Sequence, residues 1–134
     1  MNRRVEKMIP RAIEAARAHI AEDREIKLKY KGAIPAEYNG YVSSFGAAIL
    51  QSGLKAAIAF NESASSGSAK DRKLLMRAVL EIIKNEKVAR DASLLDYVLT
   101  DGHDTPETRR KIMDAAIALK LAIRTFELKK EDEV

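Results

Sequence analysis

Apolar residues recur at helical spacing along nearly the whole of this chain, and no segment alternates in the manner of a strand. In the first segment Val5, Met8, Ile9, Ala12, Ile13, Ala16 and Ile20 fall on one face of a 3.6-residue helix. Pro10 interrupts the backbone bonding but not that phase, so the spacing predicts one helix over residues 3–29, kinked at Pro10. Gly32, Pro35 and Asn39-Gly40 then break the chain.

A second helix is expected over 37–61, and it is of another kind. Val42, Phe45, Gly46, Ile49, Gly53, Ala56, Ala57 and Phe60 make one face, and Leu50, Leu54 and Ile58 make another. A helix apolar nearly all round is either central in its domain or covered by a partner. Gly46 and Gly53 would admit other backbones closely, and Gly53 is also a point at which the helix can divide.

Residues 61–70 hold four serines and Gly67 and read as a loop, with Ser68 as the cap of a third helix. That helix carries Leu74, Leu75, Ala78, Val79, Ile82 and Ile83 and fades at Asn85. A fourth, over 88–100, is expected to turn Val88, Leu95, Val98 and Leu99 inward before Asp101-Gly102 stops it. The fifth opens on a Thr105 cap with Pro106 behind it. Ile112, Ala116, Leu119, Ile123 and Phe126 follow at heptad-like spacing, which extends it to about Lys129. The expectation is an all-α fold: an antiparallel bundle of about five helices in a single domain over residues 1–134, with 130–134 a frayed acidic tail.

The residue inventory excludes several chemistries. The chain has no cysteine, so disulfides, thiolate metal sites and cysteine nucleophiles are absent together. It has two histidines, His19 and His103. His19 reads as a boundary residue on the first helix. Asp101-Gly102-His103-Asp104 is the one cluster of catalytic residue types, and with no second half elsewhere it reads as a helix-to-helix turn. Ser65-Ser66-Gly67-Ser68 lacks the spacing of a phosphate-binding loop. No enzyme activity, catalytic residue, metal or cofactor is expected. No apolar run is long enough for a membrane span, and the N-terminal residues show no apolar signal segment, so a cytoplasmic location is expected.

Charge is the feature left over. Twenty-four Lys and Arg stand against 20 Asp and Glu, a net charge of +4, and three of the acids lie in the last four residues. The cations fall into groups. Lys27, Lys29 and Lys31 interleave with Tyr30, which is placed to stack on a base. Lys70, Arg72, Lys73 and Arg77 open the third helix. Arg109, Arg110 and Lys111, with Lys120 and Arg124 beyond, run along the last. Lys55 stands alone on an otherwise uncharged stretch. Such groups neutralise phosphates, or they are ordinary solvated helix faces; composition does not choose.

The segment from Tyr41 to Phe60, YVSSFGAAILQSGLKAAIAF, bears on that choice. It resembles the signature of the small helical subunit of the type III-B CRISPR effector, the Cmr RNA-targeting complex. Tyr41, Ile49, Leu50, Gln51, Gly53, Leu54, Ala57, Ala59 and Phe60 carry the resemblance, with Ser52 where that family usually has Asn. The resemblance implies a non-catalytic subunit of a ribonucleoprotein acting in antiviral defence. In that family the small subunits stack in several copies beside the larger subunits and line the path of guide RNA paired with target RNA. The cations expected to meet RNA are Lys27, Lys29, Lys31, Lys55, Arg72, Lys73, Arg109, Arg110 and Arg124. The alternative is a helical protein-interaction or regulatory domain without nucleic-acid contact.

Overall fold

A computed structural model describes residues 2–63, the backbone of Ala69, and residues 70–134. The loop expected around Ser65-Ser66-Gly67-Ser68, and the cap expected of Ser68, lie outside the described residues. Among the described residues the chain forms seven α-helices and two strands of two residues each. The helical expectation holds; the count rises because two of the five expected helices divide.

The first helix, α1, spans Arg3–Ala16. Asn2 caps it, its side-chain oxygen accepting from the Arg4 amide at 2.8 Å, and Glu6 lies in the first turn near the positive helix end. The helix runs on through Pro10, which faces solvent. The expected kink at Pro10 is therefore not where the long helix gives way. It gives way at a π-helical turn, Arg17–Ala21, after which Asp23 restarts the chain as N-cap of α2, Arg24–Tyr30. The Asp23 carboxylate accepts from the Ile26 amide at 3.3 Å. The wider turn points His19, Ile20 and Ala21 inward in succession, which a regular helix does not do. It also brings His19 Nε2 within 2.7 Å of Glu81 Oε1. Glu81 is buried, and Arg11 Nη1 stands 3.8 Å from its other oxygen. A carboxylate inside a core persists only with such partners.

Lys31 ends α2 in the left-handed conformation (φ 53°) and Gly32 follows at φ 100°. The chain then enters β1, Ile34–Pro35, which pairs in parallel with β2, Leu128–Lys129. The Ile34 amide donates to the Glu127 carbonyl at 2.9 Å and the Ala36 amide to the Lys129 carbonyl at 2.8 Å. The expected helix over 37–61 divides at Gly53 into α3, Glu37–Ser52, and α4, Leu54–Glu62. Gly53 takes φ 93° and ψ 163°, a region open almost only to glycine. Near the start of α3 the Tyr38 hydroxyl donates to Asp71 Oδ1 at 3.0 Å on α5, Ala69–Lys84. Burial raises the Asp71 carboxyl above its ordinary range, and the Tyr38 bond only partly opposes it. Burial first, and then the Asp71 charge, push the Tyr38 hydroxyl far up.

The fourth helix is shorter than the expected 88–100: α6 spans Leu94–Leu99. Its inward face agrees in part with the expected one: Val98 is inward and Val88 and Leu95 are half-buried against the core. Leu94 and Val98 are buried, whereas Leu99 points to solvent. The face is set from outside the helix, where Glu62 at the end of α4 accepts from both Ser93 Oγ (2.8 Å) and the Leu94 amide (2.9 Å). The last helix, α7, spans Pro106–Ile123 and opens as expected: Thr105 Oγ1 accepts from the Thr108 amide at 3.1 Å, with Pro106 at its first position. It stops short of Lys129 because 128–129 are drawn into the pairing with β1. Residues 130–134, expected as a frayed end, hold one 3-10 turn at Glu131–Glu133 with exposed side chains.

The core gathers around α1 and α7, the most extensive helix pair, with α5 packed against both and α3 against α7. Both central helices bury alanines: Ala12, Ala15 and Ala16 on α1, and Ala115, Ala116, Ala118 and Ala122 on α7. Arg4 Nε donates to the buried Asp114 at 2.8 Å and ties the start of α1 to the middle of α7. No described helix is long and apolar enough to cross a membrane.

Two outcomes follow for stability. Gly53→Ala should destabilise the fold by about 1–3 kcal/mol, because the penalty lies in the backbone angles. Gly46→Ala, inside α3 with open space around the added carbon, should instead stabilise it by about 0.5–1 kcal/mol. Urea denaturation of the two variants, which should move the midpoint in opposite directions, checks both.

The raised Asp71 carboxyl also fixes a sign. Between the ordinary carboxylate value and the raised one, the folded protein binds more protons than the unfolded chain, so stability falls as pH rises through that window. Asp71→Asn keeps an acceptor for Tyr38 and removes the titration, so its stability profile should be flatter there. Parallel profiles for the two proteins would contradict the assignment.

Candidate nucleic-acid interface

The fold brings some of the expected cations together and separates others. Lys55 in the first turn of α4 meets Arg109 and Arg110 in the first turns of α7 at the mouth of one groove. Its floor is apolar: Ile49, Leu50, Met113 and Ile117, with Leu50 and Ile117 substantially exposed. Lys55 Nζ is 2.8 Å from Asp104 Oδ2, an exposed pair that water and salt readily weaken.

A second grouping joins Lys27 and Lys31 at the end of α2 to Arg17 of the π turn. Arg17 lies over the Phe126 ring, 5.4 Å from its centre, and Lys27 is 3.2 Å from Glu22. Arg17 has no signal in the sequence beyond its charge. Tyr30, expected as a stacking surface, is buried and offers no face to a base.

Lys29 is placed differently from its neighbours. Its Nζ is 2.6 Å from Glu131, in a pocket that also carries Glu25, Glu37 and Asp71. The hydrogen bond to Glu131 holds the Lys29 ammonium above its ordinary value and the Glu131 carboxyl below its own. In the same pocket Lys70 pairs with Asp23 (3.2 Å) and Glu25 (3.0 Å).

On α5, Arg72 lies over two rings, 4.9 Å from the centre of Phe60 and 5.4 Å from that of Tyr41. Phe60 is 57% exposed, so it extends a flat apolar surface beside a cation. The next residue, Lys73, is exposed and faces Arg77 and Arg90. Arg124 is exposed at the C-cap of α7.

The remaining candidates are committed to structure. His103 stacks on Tyr97, ring centres 4.0 Å apart, and its Nδ1 lies 2.9 Å from the Tyr97 carbonyl oxygen. Asp101 and Gly102 make the turn with positive φ, and Asp104 holds Lys55. His19, expected at the boundary, is instead buried against Glu81. Among the described residues no group of three or more His, Asp or Glu is placed to hold a metal ion.

The model of one family, CRISPR-associated protein (Cas_Cmr5), matches residues 12–122, from the middle of α1 to the last turn of α7. No curated protein matches the chain, and no solved structure does.

Proposed function

Since this chain belongs to the Cas_Cmr5 family of CRISPR-associated proteins, and so to the small subunits of the Cmr effector, we propose that it lines the path of guide RNA paired with target RNA as a non-catalytic subunit. The observation that carries the reading is the meeting of Lys55, Arg109 and Arg110 at one groove, drawn from helices far apart in sequence. The grouping of Arg17, Lys27 and Lys31 supplies a second cationic face. Arg72 and Lys73 supply a third, and Arg124 projects alone. Lys29, already neutralised among carboxylates, contributes least. Phosphates meet these cations through charge and duplex shape, and base pairing between guide and target supplies the sequence specificity.

The apolar groove floor favours a protein neighbour beside the RNA. Leu50 and Ile117, with the exposed Ala47, Ala56 and Ala59 of α3 and α4, suit a larger Cmr subunit or a stacked copy of this chain. That surface is also what a protein-interaction domain without RNA contact would show, which makes it the second reading. On either reading the protein works in the cytoplasm, in antiviral defence.

The test uses the assembled complex. Neutralising Lys55, Arg109 and Arg110 together should weaken target RNA binding alike for unrelated guides. The slope of log affinity against log salt should fall by roughly 0.7–0.9 for each phosphate that is no longer neutralised. Assembly and RNA affinity that survive neutralisation of every group would leave the protein-interaction reading in place. For the absence of catalysis, Asp101→Ala should leave the rate of target cleavage unchanged; a severe loss in a fully assembled complex would reveal a catalytic site.

A further inference from the structure

Lys73 and Arg77 stand one helical turn apart on α5, on the face that looks toward the segment joining α5 to α6. That segment carries Arg90, and the three cations line one open pocket with Glu62, Asp91 and Ser93. Arg90 lies in a connecting loop with no periodicity to mark it, and sequence reasoning passes over it.

Among the described residues no carboxylate of the pocket forms a close ion pair with these cations. Both oxygens of Glu62 are committed, one to Ser93 Oγ and one to the Leu94 amide. Asp91 is exposed and forms no ion pair with any of the three among the described residues. Arg77 is half-buried, and its Nε is sealed below the surface with no hydrogen-bond partner. Burial lowers the Arg77 guanidinium below its ordinary value and the Arg90 charge adds to that, with Asp23 and Asp91 opposing. Two guanidinium groups that repel each other across a pocket are stable neighbours when an anion sits between them.

We propose that Lys73, Arg77 and Arg90 form a binding site for a phosphate group. A tetrahedral phosphate presents several oxygens and can bridge both guanidinium forks while Lys73 adds a point charge. A carboxylate ligand fits less well: it brings two oxygens and one charge, and the carboxylate of Asp91 is already at hand without pairing Arg77. When phosphate binds, Arg77 turns its fork outward and its Nε–H gains the acceptor it lacks. The site stands on its own geometry: it shares Lys73 with the third cationic face proposed for RNA, whereas Arg77 and Arg90 belong to none of those faces. The phosphate is either a phosphodiester of RNA or a free phosphate or monoester.

The experiment follows the arginine Nε–H signals of the full chain, labelled with nitrogen-15, by NMR. Sodium phosphate is titrated against sodium chloride at matched ionic strength. The Arg77 signal should move saturably with phosphate and stay still with chloride. Arg90→Gln, on a surface loop where folding is not at stake, should weaken the phosphate response about tenfold, the loss of one charged hydrogen bond. A second arm adds a short RNA duplex with hydroxyl ends, which carries phosphodiesters only. Movement of Arg77 with both ligands assigns the site to the RNA backbone. Movement with inorganic phosphate alone assigns it to a free phosphate. No movement with either, or equal movement with chloride, overturns the site. In that case RNA that still shifts Arg109 and Arg110 leaves the RNA-path reading standing, so the two fail separately.

Discussion

The packing of α1 on α7 is the contact on which the rest is built. Both helices bury alanine where bulkier side chains would hold them apart, and alanine gives up no rotamer freedom on burial. Close backbones gain dispersion along their whole length. The buried Asp114, held by Arg4, fixes how far one helix slides along the other. With that pair set, α5 lies against both and α3 against α7. Apart from the buried Glu81 and Asp114, most charged residues are left on helix ends and outer faces. The cations of the candidate interface are therefore distributed as a by-product of a narrow core: several small groups on different sides.

Much of this was legible in the sequence because it is local. The spacing of Val5, Ala12 and Ala16 names the buried face of α1, and Thr105-Pro106 names the start of α7. What failed to show was decided at a distance. The apolar phase of the first segment runs on past Ala16 and hides the π turn. The sign of a restart was Asp23 with Glu25 two residues on, a cap and an acidic first turn outweighed by periodicity. The face of α6 depends on Glu62, some thirty residues away, and the end of α7 on pairing with residues near 34. Glu81 carried a readable signal: a single acid in the run Val79-Leu80-Glu81-Ile82-Ile83 is buried if its neighbours are, and then it needs a partner.

The candidate interface was less legible than the fold. Periodicity says which residues face outward but not which outward residues meet. Lys55 stood out in the sequence for being isolated, yet its setting is shared with Arg109 and Arg110 across a groove. Lys29 belonged to an apparently uniform Lys27-Lys29-Lys31 series, and the fold gives it to Glu131 instead. Tyr30 alternates with lysines as a stacking residue would, but the helix turns it into the core. Charge in a sequence is a count, and only the tertiary arrangement converts it into a field.

The pairing of β1 with β2 bears on how the molecule comes together and comes apart. The backbone bonds of this short pairing, with the Lys29–Glu131 contact beside them at a sequence separation of 102, close a ring around most of the chain. Ring closure costs little more for a long loop than for one half its length, about 0.6 kcal/mol per doubling, so length alone does not forbid so small a clasp. Its ends lie far apart along the chain and are brought together by the intervening helices, so it is expected to form late in folding. The order reverses on opening. The β1 side of the clasp is anchored by the fully buried Ile34 while Leu128 and Lys129 on the β2 side are only half-buried, and with so few backbone bonds between them the amides of Ile34 and Ala36 should open to solvent before those of α1 and α7.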